Sequence, residues 1–186
     1  MTICTFARRS RAAALALLSV SAAAMLAGCG TLGGPCGAIA ELQPTAAVTP
    51  NTVSGTIRFT PLEHGVRVSG EVKGLPPNTE HGFHIHETGD CSRNGDAAGG
   101  HFNPSGGVHG MFGAPGGHAG DLPSLVADAS GSARFSVEIH SLSLTDGATN
   151  NVVGRAVVVH RDRDDFTTQP AGNSGPRIAC GVIVRN

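Results

Sequence analysis

The chain has 186 residues, with 13 basic and 14 acidic side chains and a formal charge of -1, a balance that argues against nucleic acid as a partner. Glycine (27) and proline (11) are abundant and tryptophan and tyrosine are absent. Beyond the first 28 residues few stretches have the length and period of a helix, so one domain of short strands and turns behind an N-terminal appendage is expected.

Residues 1–28 read as a leader. Arg8, Arg9 and Arg11 form a positive start, and Ala12 to Ala27 a short Ala/Leu-rich stretch, too brief and weakly apolar for a preferred membrane span. Leu26-Ala27-Gly28-Cys29 resembles a bacterial lipoprotein cleavage box. That resemblance implies cleavage before Cys29, lipidation of its thiol and acylation of the new amino terminus; an ordinary signal peptide with an incidental cysteine is the alternative. Gly30 stands where an aspartate is linked to inner-membrane retention, which favours the outer membrane. The expectation is an exported protein of the periplasm or cell envelope, anchored to the membrane through Cys29. Residues 29–37 would be a Gly-rich tether, and eight residues of it reach at most about 27 Å. Loss of the three leader arginines leaves 10 of the 13 basic residues against 14 acids, a mildly acidic mature protein.

The domain is expected over 38–186. Strand-like patterns run over 38–43, 53–60 and 65–73, and Gly74-Leu75-Pro76-Pro77-Asn78 ends the third. Residues 80–87 contain H-G-F-H-I-H. On a strand, residues i and i+2 share a face, so His84 and His86 converge while Phe83 and Ile85 turn to a core. Residues 88–122 form a connection far longer than usual, a sign of function. They carry His101, His109, His118 and Asp121. Later strands are read at 124–128, 133–140, 152–160 and 178–185, with a second long loop over 162–177. His160 closes the valine-rich run. These donors suffice for two metal ions. His64 and His140 read as ordinary surface histidines, Asp162 and Asp165 as solvated loop acids.

HGFHIHETGDC (81–91), GGHFNPSGGVHG (99–110), GGHAGDL (116–122), VVGRAVVVHRDRDD (152–165) and GNSGPRIACGVI (172–183) together resemble the copper/zinc superoxide dismutases, in order and with compatible spacing. The resemblance runs from about Ala38 to the C-terminus. It implies an all-β, eight-stranded antiparallel Greek-key barrel or sandwich, immunoglobulin-like, with two long functional loops. It implies one copper held by His84, His86, His101 and His160, and one zinc held by His101, His109, His118 and Asp121. Four imidazoles suit tetragonal Cu(II), and three imidazoles with a carboxylate suit tetrahedral zinc. Asp164 resembles the aspartate joining a ligand of each metal, and His81 a support beneath the copper site. Arg177 resembles the arginine that attracts the substrate, superoxide. A disulfide between Cys91 and Cys180 is implied as well, and no role is assigned to Cys36.

The implied activity is dismutation of superoxide to oxygen and hydrogen peroxide by alternating Cu(II) and Cu(I), in defence of the cell envelope. His101 would serve in turn as ligand and acid. A non-catalytic copper/zinc buffer or delivery module on the same fold is the alternative. His101 and Arg177 together favour the enzyme, since storage needs neither a bridge nor an anion-attracting cation. The loop from His160 to Arg177 is shorter than in eukaryotic members and lacks lysine, residues 101–121 contain neither Lys nor Arg, and a channel-rim threonine falls at Ala171. The family includes monomers and differently built dimers, which leaves a homodimer open.

Overall fold

The computed structural model describes residues 36–186. Ten strand segments follow one another: β1 (Ala38–Pro44), β2 (Ser54–Pro61), β3 (Val66–Lys73), β4 (Glu80–His81), β5 (Phe83–His86), β6 (Leu125–Val126), β7 (Ala133–Ile139), β8 (Ala156–His160), β9 (Arg177–Val182) and β10 (Val184–Arg185). Only Gly82 separates β4 from β5, and only Ile183 separates β9 from β10, so ten segments make eight strands. The pairing order is β5-β8-β9-β1-β2-β3-β7, with β10 also on β1 and β6 on β4, every ladder antiparallel. The strands were read within a few residues of these limits. One exception is 152–155, where Arg155 N–H donates to Val152 O in a turn before β8 begins. The helical content among the described residues is the 3-10 segment Arg93–Ala98, itself broken by positive φ at Asn94 (58°) and Gly95 (84°).

Alternation decides which side faces the core. In β5 the odd residues Phe83 and Ile85 are buried in the main cluster with Val157 and Val159 of β8, and Phe83 meets Phe135 edge-on at 5.2 Å between centroids. In β2, β3 and β7 inward residues such as Ile57, Phe59, Val66 and Val68 are buried while several outward residues stay wet. β5 and β8 differ, because every residue in both is buried. Their second face lies under the long loops. There Ala156 and Val158 pack with Ala98 and Cys180 in a small separate cluster, and Cys180 is disulfide-bonded to Cys91 across 89 residues. Closing a loop of that length stabilises the fold by about 4 to 5 kcal/mol in a chain-entropy account. The leader, the cleavage box with Cys29 and the tether up to residue 35 lie outside the described residues.

Candidate metal centre

The H-x-H pair behaves as strand geometry requires. His84 and His86 stand opposite Val158 and Ala156 in the β5–β8 ladder, on the face away from Phe83 and Ile85. β8 delivers His160 at its end, where the β8–β9 register slips between Val159 and His160 and places His160 opposite Arg177. Such an irregularity re-aims one side chain without moving the rest of the strand. His101 reaches the same place from the loop, bridged to His86 by backbone pairing.

Two groups of donors result. Ligand atoms of His84, His86, His101 and His160 lie within 4.8 Å of one another, and so do those of His101, His109, His118 and Asp121. His101 belongs to both. In the first group one nitrogen of each ring is pinned outside the cluster. His84 Nε2 bonds Asp164 Oδ2 at 2.7 Å, His86 Nδ1 bonds Gly99 O at 2.9 Å and His160 Nδ1 bonds Gly175 O at 3.0 Å. A ring that donates one N–H in this way presents the lone pair of its other nitrogen inward. The inward atoms are His84 Nδ1 and His101 Nε2, both buried with no hydrogen-bond partner, and the Nε2 atoms of His86 and His160, 3.3 Å apart. Buried imidazole lone pairs facing one another without a donor between them are costly unless a cation takes them.

In the second group the inward atoms are the Nδ1 atoms of three histidines and Asp121 Oδ1. Asp121 Oδ1 lies 2.8 Å from His101, 3.1 Å from His109 and 3.4 Å from His118, and the Nδ1 atoms of His101 and His118 are 3.5 Å apart. Four ligands about 2.0 Å from a tetrahedral ion stand about 3.3 Å from each other, so this set already has zinc-like dimensions. Both groups fit the metals that their donor chemistry favours.

Asp164 ties the two groups together. Its Oδ2 takes His84 and its Oδ1 takes His109 Nε2 at 2.9 Å, fixing a ring in each. His81 lies beneath, with Nδ1 2.9 Å from His160 O and Nε2 2.7 Å from Thr79 Oγ1. Two supports escaped the sequence reading. Gln169 makes a reciprocal pair with the backbone of His109, accepting its N–H at 2.8 Å and donating to its carbonyl at 2.9 Å, which clamps one long loop to the other. Gly172, at φ +64°, sits where any Cβ would fall on the Asp164 carboxylate and within 2.6 Å of His109 Nε2. An amide or glycine in a loop carries no motif signal for such a task.

Burial sets the protonation of the three strand-borne rings. It holds His84 and His86 well below the ordinary histidine value and lowers His160 to about 4, with neighbouring imidazoles adding to the effect. These rings are neutral, and therefore ligand-ready, at any physiological pH. His109 goes the other way: burial opposes the charge, but Asp164 and Asp121 outweigh it. Burial also lowers His118. Asp121 stays below the ordinary carboxylate range, because its bonds with His101 and Gly110 overcome the burial that works against it.

A cleft of about 530 Å³ opens onto the first group, lined by His86, His101, His160, Asp96, Ala171 and Arg177 among others. Arg177 is anchored by Gly95 O at 2.6 Å and Gly99 O at 2.7 Å. Arg161 and Arg163 do not line it and pair instead with Asp162 and Glu80. His64 and His140 stay on the surface, and Asp165 closes a local turn with Thr167 and Thr168.

The fold is a Greek-key β-sandwich, and it brings together two groups of candidate metal ligands that have one imidazole in common. The family model for copper/zinc superoxide dismutase matches residues 53–183. A copper/zinc superoxide dismutase of Aquifex aeolicus is 42% identical over 139 residues, covering 73% of this chain and 81% of its own length. One from Deinococcus radiodurans is 41% identical over 171 residues, covering 85% and 89%. Among solved structures, the clock protein EA4 superposes with a TM-score of 0.71 at 37% identity, covering 83% of this chain and 98% of its own. A double mutant of a SOD-like protein from Bacillus subtilis gives 0.70 at 36%, covering 78% and 96%. The chain belongs to the copper/zinc superoxide dismutase family. It is accordingly a superoxide dismutase whose cofactors are copper and zinc.

Proposed function

We propose that copper is held by His84, His86, His101 and His160, zinc by His101, His109, His118 and Asp121, and that the reaction runs in the cleft beside Arg177. The observation that carries this reading is His101: Nδ1 is committed to the second group while buried Nε2, without a partner, faces the first. Copper supplies one-electron transfer in both directions, Cu(II)/Cu(I), so that two superoxide anions and two protons give one oxygen and one hydrogen peroxide. Arg177 draws the anion into the cleft and donates a hydrogen bond to it. His101 Nε2 holds a proton between the two halves of the cycle and passes it to the product. Asp164 and His81 keep the surrounding rings in register and fix their tautomers. A metal buffer or delivery module would need neither a shared ring nor an arginine in the cleft.

The domain proper is residues 38–186, and the leader and tether place it in the cell envelope of a bacterium, lipid-anchored through Cys29, where it removes superoxide. Bacterial relatives and the cleavage-box pattern support that placement. The deciding experiment is superoxide consumption by the copper- and zinc-loaded protein beside His101→Ala and free copper. Activity above free copper that His101→Ala loses supports the assignment. Loaded protein no faster than free copper would leave the buffer reading.

A further inference from the structure

Among the described residues, and leaving histidines aside, the cleft is lined by two charged side chains of opposite sign, Arg177 and Asp96. Asp96 stands on the 3-10 segment Arg93–Ala98. Its side chain is 75% exposed, with Oδ1 3.8 Å from Arg177 Nε. Arg155, Arg161 and Arg163 are paired with Glu87, Asp162 and Glu80, and Arg93, on the segment that carries Asp96, does not line the cleft. Residues 101–121 hold no lysine or arginine. The side chains of the cleft therefore sum to no net charge.

We propose that Asp96 damps the attraction of the cleft for its anionic substrate, a rate-setting role that no motif marks. This inference rests on the reading of Arg177 as the residue that draws the anion in. Superoxide dismutases are an established example of electrostatic steering, so a carboxylate at the mouth acts on the encounter step. A unit charge about 6 Å from the path of an anion changes its local concentration roughly threefold in low salt, before screening. Asp96 is not required to hold Arg177, because Gly95 O and Gly99 O already take that guanidinium. Neutralising Asp96 thus removes an opposing charge and leaves the cation in place.

The test measures the second-order rate with superoxide by pulse radiolysis across ionic strength, in samples of matched copper and zinc content. Asp96→Asn, Asp96→Lys, Arg177→Ala and Glu63→Gln are compared with the unaltered protein. Glu63 is an exposed acid on a different cleft, so Glu63→Gln changes net charge equally without touching this mouth. Azide affinity, read from the optical spectrum of the copper-loaded protein, gives a second readout that does not depend on turnover. Asp96→Asn is expected to raise rate and azide affinity about two- to fourfold in low salt, shrinking towards none at about 0.5 M. Asp96→Lys should exceed it, and Glu63→Gln should change neither. If Arg177→Ala slows the reaction while Asp96→Asn leaves it unchanged or slower, the damping role is wrong and the arginine reading stands. If Arg177→Ala changes nothing, both fail. A gain from Asp96→Asn that persists at high salt would also overturn damping, since it would mark a change of geometry.

Discussion

The two halves of the metal centre are made from different material. His84, His86 and His160 stand on paired strands, β5 and β8, with buried valines behind them and ladder bonds along their whole length. His109 and His118 stand on a connection without regular structure, where Gln169 holds the backbone of His109 and Asp164 its ring, while Asp121, at the end of that connection, is bridged to His84 of β5 and accepts from Gly110 N–H at 3.1 Å. A strand fixes its side chains through a cooperative ladder, whereas a loop relies on each contact separately. The strand-borne half should therefore be preorganised before any metal arrives, and the loop-borne half should be ordered further by the ion that cross-links it. His101 is the joint, paired with His86 through the backbone and with Asp121 through its ring.

Removing one donor from each half should separate their roles. His86→Ala takes a strand-borne nitrogen, so activity should fall about 1,000-fold, or about 4 kcal/mol of barrier, with zinc retained. His118→Ala takes a loop-borne nitrogen, so zinc should be lost while activity stays within about tenfold of normal. Elemental analysis and a superoxide assay on both variants check this. Equal losses of activity with either substitution would mean that the halves are not separable.

Acid should distinguish the halves in the metal-free protein. His160 drops from 6.5 to about 4 through burial, and His84 and His86 move the same way. Above the unfolded value nothing is lost. As pH falls below about 6.5 the unfolded chain binds protons that the folded rings refuse, until His160 itself titrates near 4. Stability therefore declines across that window, His160 alone contributing about 3 kcal/mol at 1.36 kcal/mol per unit. His109, raised by its carboxylates, opposes the trend. Denaturant unfolding of the metal-free protein from pH 7 to 4, repeated with copper bound, should show the decline and its suppression. A flat profile without metal would remove the strand-borne set as its source.

The strand-borne half was legible in the sequence because period two and the H-x-H spacing encode a shared face directly. Turn signals and alternation placed the strands, whereas their Greek-key order followed only from the resemblance; no period marks where a ladder begins, so the strand ending at His160 was read four residues too early. The loop-borne half was legible only through resemblance, since His109, His118 and Asp121 have no repeating geometry to link them. The supports were invisible. Gln169 lies 60 residues from the backbone it clamps, and Asp96 is an ordinary exposed acid until the fold sets it beside Arg177.

Gly172→Ala tests the loop-borne half without touching a ligand. A Cβ at φ +64° would displace Asp164 from His109, so zinc affinity should fall about 10- to 100-fold, the usual cost of losing a ligand's outer partner. Competition with a chelator measures it. Unchanged affinity would mean that Asp164 can move without loosening His109.

The smallest effect belongs to the Gln169 clamp. Gln169→Ala removes two hydrogen bonds between loops, each worth about 1 kcal/mol, and leaves every metal-binding atom in place. Because the contact is local, its loss should not spread through the sheet. Amide exchange should quicken at residues 108–110 in the zinc-free protein, whereas β5 and β8 should keep their protection. With zinc bound the difference should shrink, because the ion then restrains His109 through its ring. Were exchange to quicken equally across β5 and β8, the loops and strands would be one cooperative unit, and the contrast between a preorganised and a metal-ordered half would have to be given up.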